Sequence, residues 1–282
     1  DSNVMQPSHM IAALSALSRR ETIKFFQQKG RLFSAFVRPA LWLFVFAVGF
    51  RGVYGVDAGE PYLQRSVNYE YYILPGLTCM VLLFSGMQSS LSMVYDREMG
   101  IMRLLLTAPL PRWYLLTAKL LSGTFLSVLQ AYAFLVICLP FDWWTGLRVG
   151  FSDPFSWLYV FPALVLTGMM LGALGLLLSV HVKQLENFAG TMNFVIFPMF
   201  FISPALFPLW YLQESGADIV YWIANVNPFT YGVQLVRYAS EGQFYGLGAL
   251  VVCACTLAFL IGAIYGYDPQ RGFVRRGPQA AT

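Results

Sequence analysis

Charge is what this chain has least of. Only 11% of its 282 residues are charged and 57% are hydrophobic, against roughly 25% charged in an ordinary soluble domain. A soluble core of that composition is excluded, and an integral membrane protein is indicated. Catalytic equipment is missing too. No Gly-x-x-x-x-Gly-Lys-Ser/Thr loop occurs, so the usual P-loop route to nucleotide hydrolysis is closed. His9 and His181 stand alone, and no Ser/His/Asp, Cys/His or metal-ligand set can be assembled. Cys79, Cys138, Cys253 and Cys255 all fall in apolar stretches. Cys253 and Cys255, two apart on a helix, diverge by about 200°, so small core residues are expected rather than a disulfide or a metal site. No signal-peptide core and cleavage site is seen at the N-terminus. The chain is expected to be neither an enzyme nor the holder of a cofactor.

Ionisable groups are also nearly absent from the centres of the apolar stretches. Proton- or ion-coupled carriers usually place Asp, Glu or His there, and no filter-like repeat of a selective channel is present. A protein of this kind that moves a solute uphill must take its energy from another polypeptide.

What the chain does have is apolar length. Six stretches reach or approach the 17–25 or so residues needed to span a bilayer: residues 39–50 (extended back through 32, past Arg38), 71–95, 120–141, 155–182, 188–212 and 244–267. In the first, Arg38 and Arg51 are expected to snorkel to the two interfaces. The connections are short, which leaves no room for a soluble domain within the chain. The expected fold class is an all-α integral membrane protein: residues 1–31 as a cytoplasmic segment with an amphipathic interface helix, 32–267 as a six-span domain, and 268–282 as a cytoplasmic tail.

Basic residues orient it. Fourteen of the 18 Lys and Arg precede the first span, lie in the second or fourth loop, or occupy the tail. On the other side remain Arg51, Arg65, Arg148 and Arg237, together with most of the acids. By the positive-inside rule both termini are cytoplasmic, in a cell inner (plasma) membrane. Topology thus accounts for the positive balance without nucleic acid.

Residues 11–32 read as a surface helix with Arg20, Lys24, Gln27 and Arg31 in one sector. The second span opens on Pro75-Gly76, where a proline near a helix start is cheap. Gly168, Gly172 and Gly175 give the fourth span a small-residue face for close packing, expected within one subunit. Pro198, Pro204 and Pro208 bend the fifth. Residues 219–236, interrupted by Asn225, Asn227 and Pro228, should dip into the outer leaflet and return as a re-entrant hairpin. The extracellular gate is expected there.

One short loop carries most of the functional signal. Tyr95-Asp96-Arg97-Glu98-Met99-Gly100 concentrates charge between two charge-free stretches, and a leucine-rich segment ends at Pro109 and Pro111. A helix lying on the cytoplasmic surface and receiving force from a soluble partner has this form. The loop, with Leu104-Leu105-Leu106-Thr107-Ala108-Pro109, resembles the coupling helix of type-2 ABC transporter permeases, and Tyr72-Ile73-Leu74-Pro75-Gly76 resembles their entry to the second span. Residues 197–209, with Ser203 and Phe207-Pro208, resemble the fifth-span signature. Asn227-Pro228-Phe229-Thr230-Tyr231, with Arg237 downstream, resembles their outer hairpin. Asp96 stands where Glu is frequent, Ile101 where Thr is common, and Pro204 where Gly is usual.

That resemblance implies a permease dimer, or a paired heterodimer, in the lipid bilayer, worked by cytoplasmic P-loop ATPase subunits that hold ATP and Mg. Coupling to the ATPase would fall to Asp96, Arg97, Glu98, Gly100, Leu104, Leu105, Thr107 and Pro109. The outer hairpin and gate would be Asn227, Pro228, Phe229 and Tyr231. The alternatives are an ATP-independent secondary transporter and a non-transporting membrane scaffold.

Overall fold

A computed structural model describes residues 7–49, 69–99, 111–145, 151, 153–182 and 185–267. Among the described residues the architecture is entirely helical: α1 (Pro7–Gln27), α2 (Lys29–Gly49), α3 (Tyr69–Glu98), α4 (Arg112–Thr145), α5 (Ser156–His181), α6 (Leu185–Phe201), α7 (Leu209–Glu214), α8 (Asp218–Val226), α9 (Pro228–Ser240) and α10 (Gly246–Gly266). Five of these, α2, α3, α4, α5 and α10, are long and apolar enough to cross a membrane. The fifth stretch expected from the sequence, 188–212, is not one uninterrupted span. Its helix, α6, ends at Phe201 after 17 residues, and the chain turns through 202–208 before α7.

The centre of the bundle is α3. Tyr72, Ile73, Leu74, Leu77, Met80, Leu82, Leu83 and Met87 are all buried, and α2, α4, α5, α6 and α9 pack around it. Lipid removes the hydrophobic drive for helices to associate, so close van der Waals approach has to supply much of the cohesion. The sequence provides for this on α5. A methyl group on Gly175 would sit 2.4 Å from Ser90 Oγ and 3.0 Å from the Gly86 carbonyl, and one on Gly172 2.9 Å from Leu120. The small face anticipated on this helix therefore meets α3 and α4 of the same chain. By contrast, α2 and α10 lie at the periphery, with Leu41, Val45, Leu250, Leu257 and Ile261 exposed.

Two local departures have clear causes. The expected surface helix 11–32 divides at Gln28, where α1 gives way to α2. Backbone hydrogen bonds cross the junction, from Gln28 N to Lys24 O (3.2 Å) and from Leu32 N to Gln28 O (3.1 Å). Secondly, α3 begins at Tyr69, so Pro75 lies inside the helix and not in its first turn. There its missing N–H loosens the carbonyl ladder of the preceding turn.

Arg38, expected to snorkel, turns towards α3. Its guanidinium lies 4.1 Å from the centroid of the Phe84 ring, near the midpoint of α3. Arg51 lies outside the described residues.

Candidate functional site

Asp96 is fully buried near the C-terminal end of α3. Its carboxylate accepts hydrogen bonds from Arg20 Nη1 at 3.1 Å and Arg20 Nη2 at 3.0 Å, a bidentate pair across the junction of α1 and α3. Lys24 Nζ stands 3.4 Å from Oδ1, and Lys119 Nζ, from α4, 3.3 Å from Oδ2. Arg20 and Lys24 are four residues apart on α1, so they share a helix face. Of the three cations Lys119 is the one shut away from water, at 6% exposure against 29% and 33% for Arg20 and Lys24. Glu21, also buried, supplies a second negative charge near it. Ser18 and Ser122 join α1 to α4 at 2.9 Å, and the Tyr114 hydroxyl donates to the Met10 carbonyl. The whole face of α1 is thereby pinned to α3 and α4.

The next two residues reach elsewhere. Arg97 Nη2 donates to the Val182 carbonyl at 2.5 Å, and the exposed Glu98 accepts from Leu185 N at 3.1 Å. Both tie the end of α3 to the junction between α5 and α6. Three consecutive side chains thus contact α1, α4 and the α5–α6 connection at the base of the segment that follows. Gly100, Leu104, Leu105, Thr107 and Pro109 lie outside the described residues.

A different kind of site occupies the other end, where the fifth stretch breaks. A broken helix frees carbonyl groups that cannot be left bare in apolar surroundings. Asn227 serves two of them: its Nδ2 donates to Met199 O at 2.8 Å and to Ile202 O at 2.7 Å. Its Oδ1 accepts from Phe229 N at 3.0 Å, capping α9 with Pro228 in the first turn. This is the arrangement a helix start favours, an acceptor side chain followed by a residue with no N–H to satisfy.

Arg237 serves a third, donating to Pro204 O at 2.8 Å, and also reaches Tyr72 O on α3 at 3.1 Å, with its guanidinium 4.0 Å above the Tyr72 ring. Tyr72 and Tyr69 hydroxyls reach Pro204 O (3.2 Å) and Leu206 O (3.0 Å). Phe229 is fully buried, 6.2 Å from Phe200. Thr230 Oγ1 and the Tyr231 hydroxyl bond back to the Ala224 and Asn225 carbonyls, closing α8 onto α9. Gly76 is required by this packing, since a Cβ there would sit 2.5 Å from the Ala205 carbonyl oxygen.

Asn227, Pro228, Phe229 and Tyr231, singled out from the sequence, therefore come together with Arg237 and residues 199–206. Asp96, Arg97 and Glu98 do not form one patch: the first is committed inside the chain and the other two face the α5–α6 junction. Sequence reasoning missed the partners of Asp96, which lie 23, 72 and 76 positions away. The available signal was Arg20 and Lys24 recurring on one face of a surface helix.

The sequence profile of a family described as "ABC-2 type transporter" matches residues 12–240. A putative transport permease, ycf38, of Cyanophora paradoxa is 30% identical over 234 residues, covering 81% of this chain and 74% of its own. The Porphyra purpurea protein of the same name is 26% identical over 232 residues, with the same coverage. A daunorubicin resistance ABC transporter permease protein, DrrB1, of Streptomyces coeruleorubidus is 25% identical over 228 residues, 79% of this chain and 73% of that one.

Proposed function

This chain belongs to the ABC-2 type transporter family of membrane transport permeases, and from that premise we propose that it is the transmembrane subunit of an ATP-driven exporter. A separate cytoplasmic P-loop ATPase subunit holds ATP and Mg, and two permeases pair in the inner membrane with their termini in the cytoplasm. α6 is the fifth of six spans, α1 lies along the inner face, and α8 and α9 form a re-entrant hairpin at the outer side.

The observation that carries the coupling assignment is the convergence on the end of α3. Asp96 is joined to α1 and α4, and Arg97 and Glu98 to the α5–α6 junction. A push delivered to the segment after Glu98 is therefore felt at once by five helices. In this reading Asp96 positions the coupling segment from inside, while Glu98 and the segment through Pro109 meet the ATPase. The hairpin capped by Asn227 closes the outer end, and its rocking against residues 199–206 opens the path.

The test is reconstitution in vesicles with and without the ATPase subunit identified by co-purification. Export of a test amphiphile should require the ATPase and ATP. Gradient-driven flux from the permease alone would replace this reading with a secondary transporter.

A further inference from the structure

We propose that Arg38, held near mid-depth between α2, α3 and α4, is a seat for the phosphate headgroup of an amphiphile. An arginine inside an apolar bundle is costly unless something answers its charge. Among the described residues, no hydrogen bond or ion pair to Arg38 is formed, and its guanidinium lies over the Phe84 ring at 4.1 Å. The contrast with Arg237 is instructive, because Nη2 of that guanidinium is already committed to two carbonyls. A cation over an aromatic face keeps its N–H donors free at the rim of its plane. In Arg38 that rim borders a small notch of about 10 Å³ also lined by Ser34, Gln88 and Gln130.

Three helices thus place hydrogen-bonding side chains around one guanidinium. Behind them Gln130 Nε2 donates to Ser85 Oγ at 2.9 Å and Ser127 Oγ to the same atom at 3.0 Å, so the polar character continues into the core. The notch has room for about one water. It suits a single phosphate oxygen, while the rest of the headgroup rests on the half-exposed side of Arg38. Further along α2, Leu41, Phe44 and Val45 are exposed and offer an apolar flank for acyl chains. Planar guanidinium pairs bidentately with phosphate, which makes this chemistry a better match than a neutral headgroup.

The headgroup could belong to a resident anionic phospholipid or to cargo. Only the second depends on the transport reading above, so the assay begins without ATPase. The full chain in detergent, supplied with equal phosphatidylglycerol and phosphatidylcholine, is weighed intact with its bound lipids. Wild type should hold one tightly bound phosphatidylglycerol that Arg38→Gln loses, its affinity falling roughly tenfold, while Arg38→Lys keeps part of it.

A second measurement needs no variant. A photoactivatable phosphatidylglycerol should label wild-type residues 34–38 and 84–88 above the exposed face of α10. Equal lipid retention by wild type and Arg38→Gln, or labelling spread evenly over α2 and α10, overturns the seat. Depletion of that label by ATP turnover in the complex identifies cargo, and persistence identifies a structural lipid; both uphold the seat.

Discussion

The two ends of the bundle are held by opposite chemistry. At the end of α3 a buried carboxylate gathers three cations from α1 and α4; where the fifth stretch breaks, Asn227 and Arg237 donate to freed backbone carbonyls. A charge cluster with two partners about one-third exposed can be loosened by salt, water or a competing partner. Donors clamped on buried carbonyls are shut away from salt and water, Arg237 at 2% exposure and Asn227 at 9%, so that end is expected to yield by moving its helices as units. In the coupling reading proposed above, force enters at the charged end and is resisted, then transmitted, at the clamped one.

The largest effect should come from breaking the clamp. Arg237→Ala removes the charged donor that the Tyr72 and Pro204 carbonyls share, and two charge-assisted hydrogen bonds lost together should cost about 3–5 kcal/mol. A fall in the thermal midpoint of the detergent-solubilised protein measures it. A change of under about 1 kcal/mol would mean that the clamp is dispensable.

Asp96→Asn comes next. It leaves Lys119 buried with only Glu21 nearby, and should destabilise the chain by about 3 kcal/mol. It should also free α1, seen as protease cleavage within Pro7–Gln27 that wild type resists. Arg20→Ala or Lys24→Ala alone should cost about 1 kcal/mol or less, because each is partly hydrated. If they matched Asp96→Asn, the charged end would be as rigid as the other.

Asn227→Leu removes a helix cap and two carbonyl donors, worth about 2 kcal/mol together. It should impair export while ATPase co-purification is retained; loss of co-purification would place the hairpin on the wrong side. The smallest stability effect belongs to Glu98→Arg, an exposed change. The thermal midpoint should barely move, yet ATPase association and ATP-dependent export should both fall. Normal pumping by this variant would remove Glu98 from coupling.

Much of this organisation can be read from residue pattern. The apolar stretches 71–95, 120–141, 155–182 and 244–267 correspond to α3, α4, α5 and α10, the last two trimmed by one or two residues at each end, because long charge-free runs carry their own signal. The glycines of α5 also declare a packing face by spacing alone. The prolines between 198 and 208 announce irregularity but do not locate it. Pro198 is accommodated inside α6, and the helix stops only after Phe201, where Asn227 and Arg237 are present to receive the carbonyls. That position depends on residues over 20 positions downstream, which no local window contains. Asp96 illustrates the same limit: its local setting reads as a solvated charged loop, and only the fold brings Arg20, Lys24 and Lys119 to it.

The junction at Gln28 has a mechanical consequence. Because backbone hydrogen bonds continue on both sides, α1 and α2 are joined as two arms of 21 residues each, the first of them fastened to Asp96. Arg38 lies ten residues beyond the bend, about 15 Å along the axis. A pivot of about 10° would carry it some 2–3 Å across Phe84, so whatever unfastens the first arm also swings the second against the centre of α3.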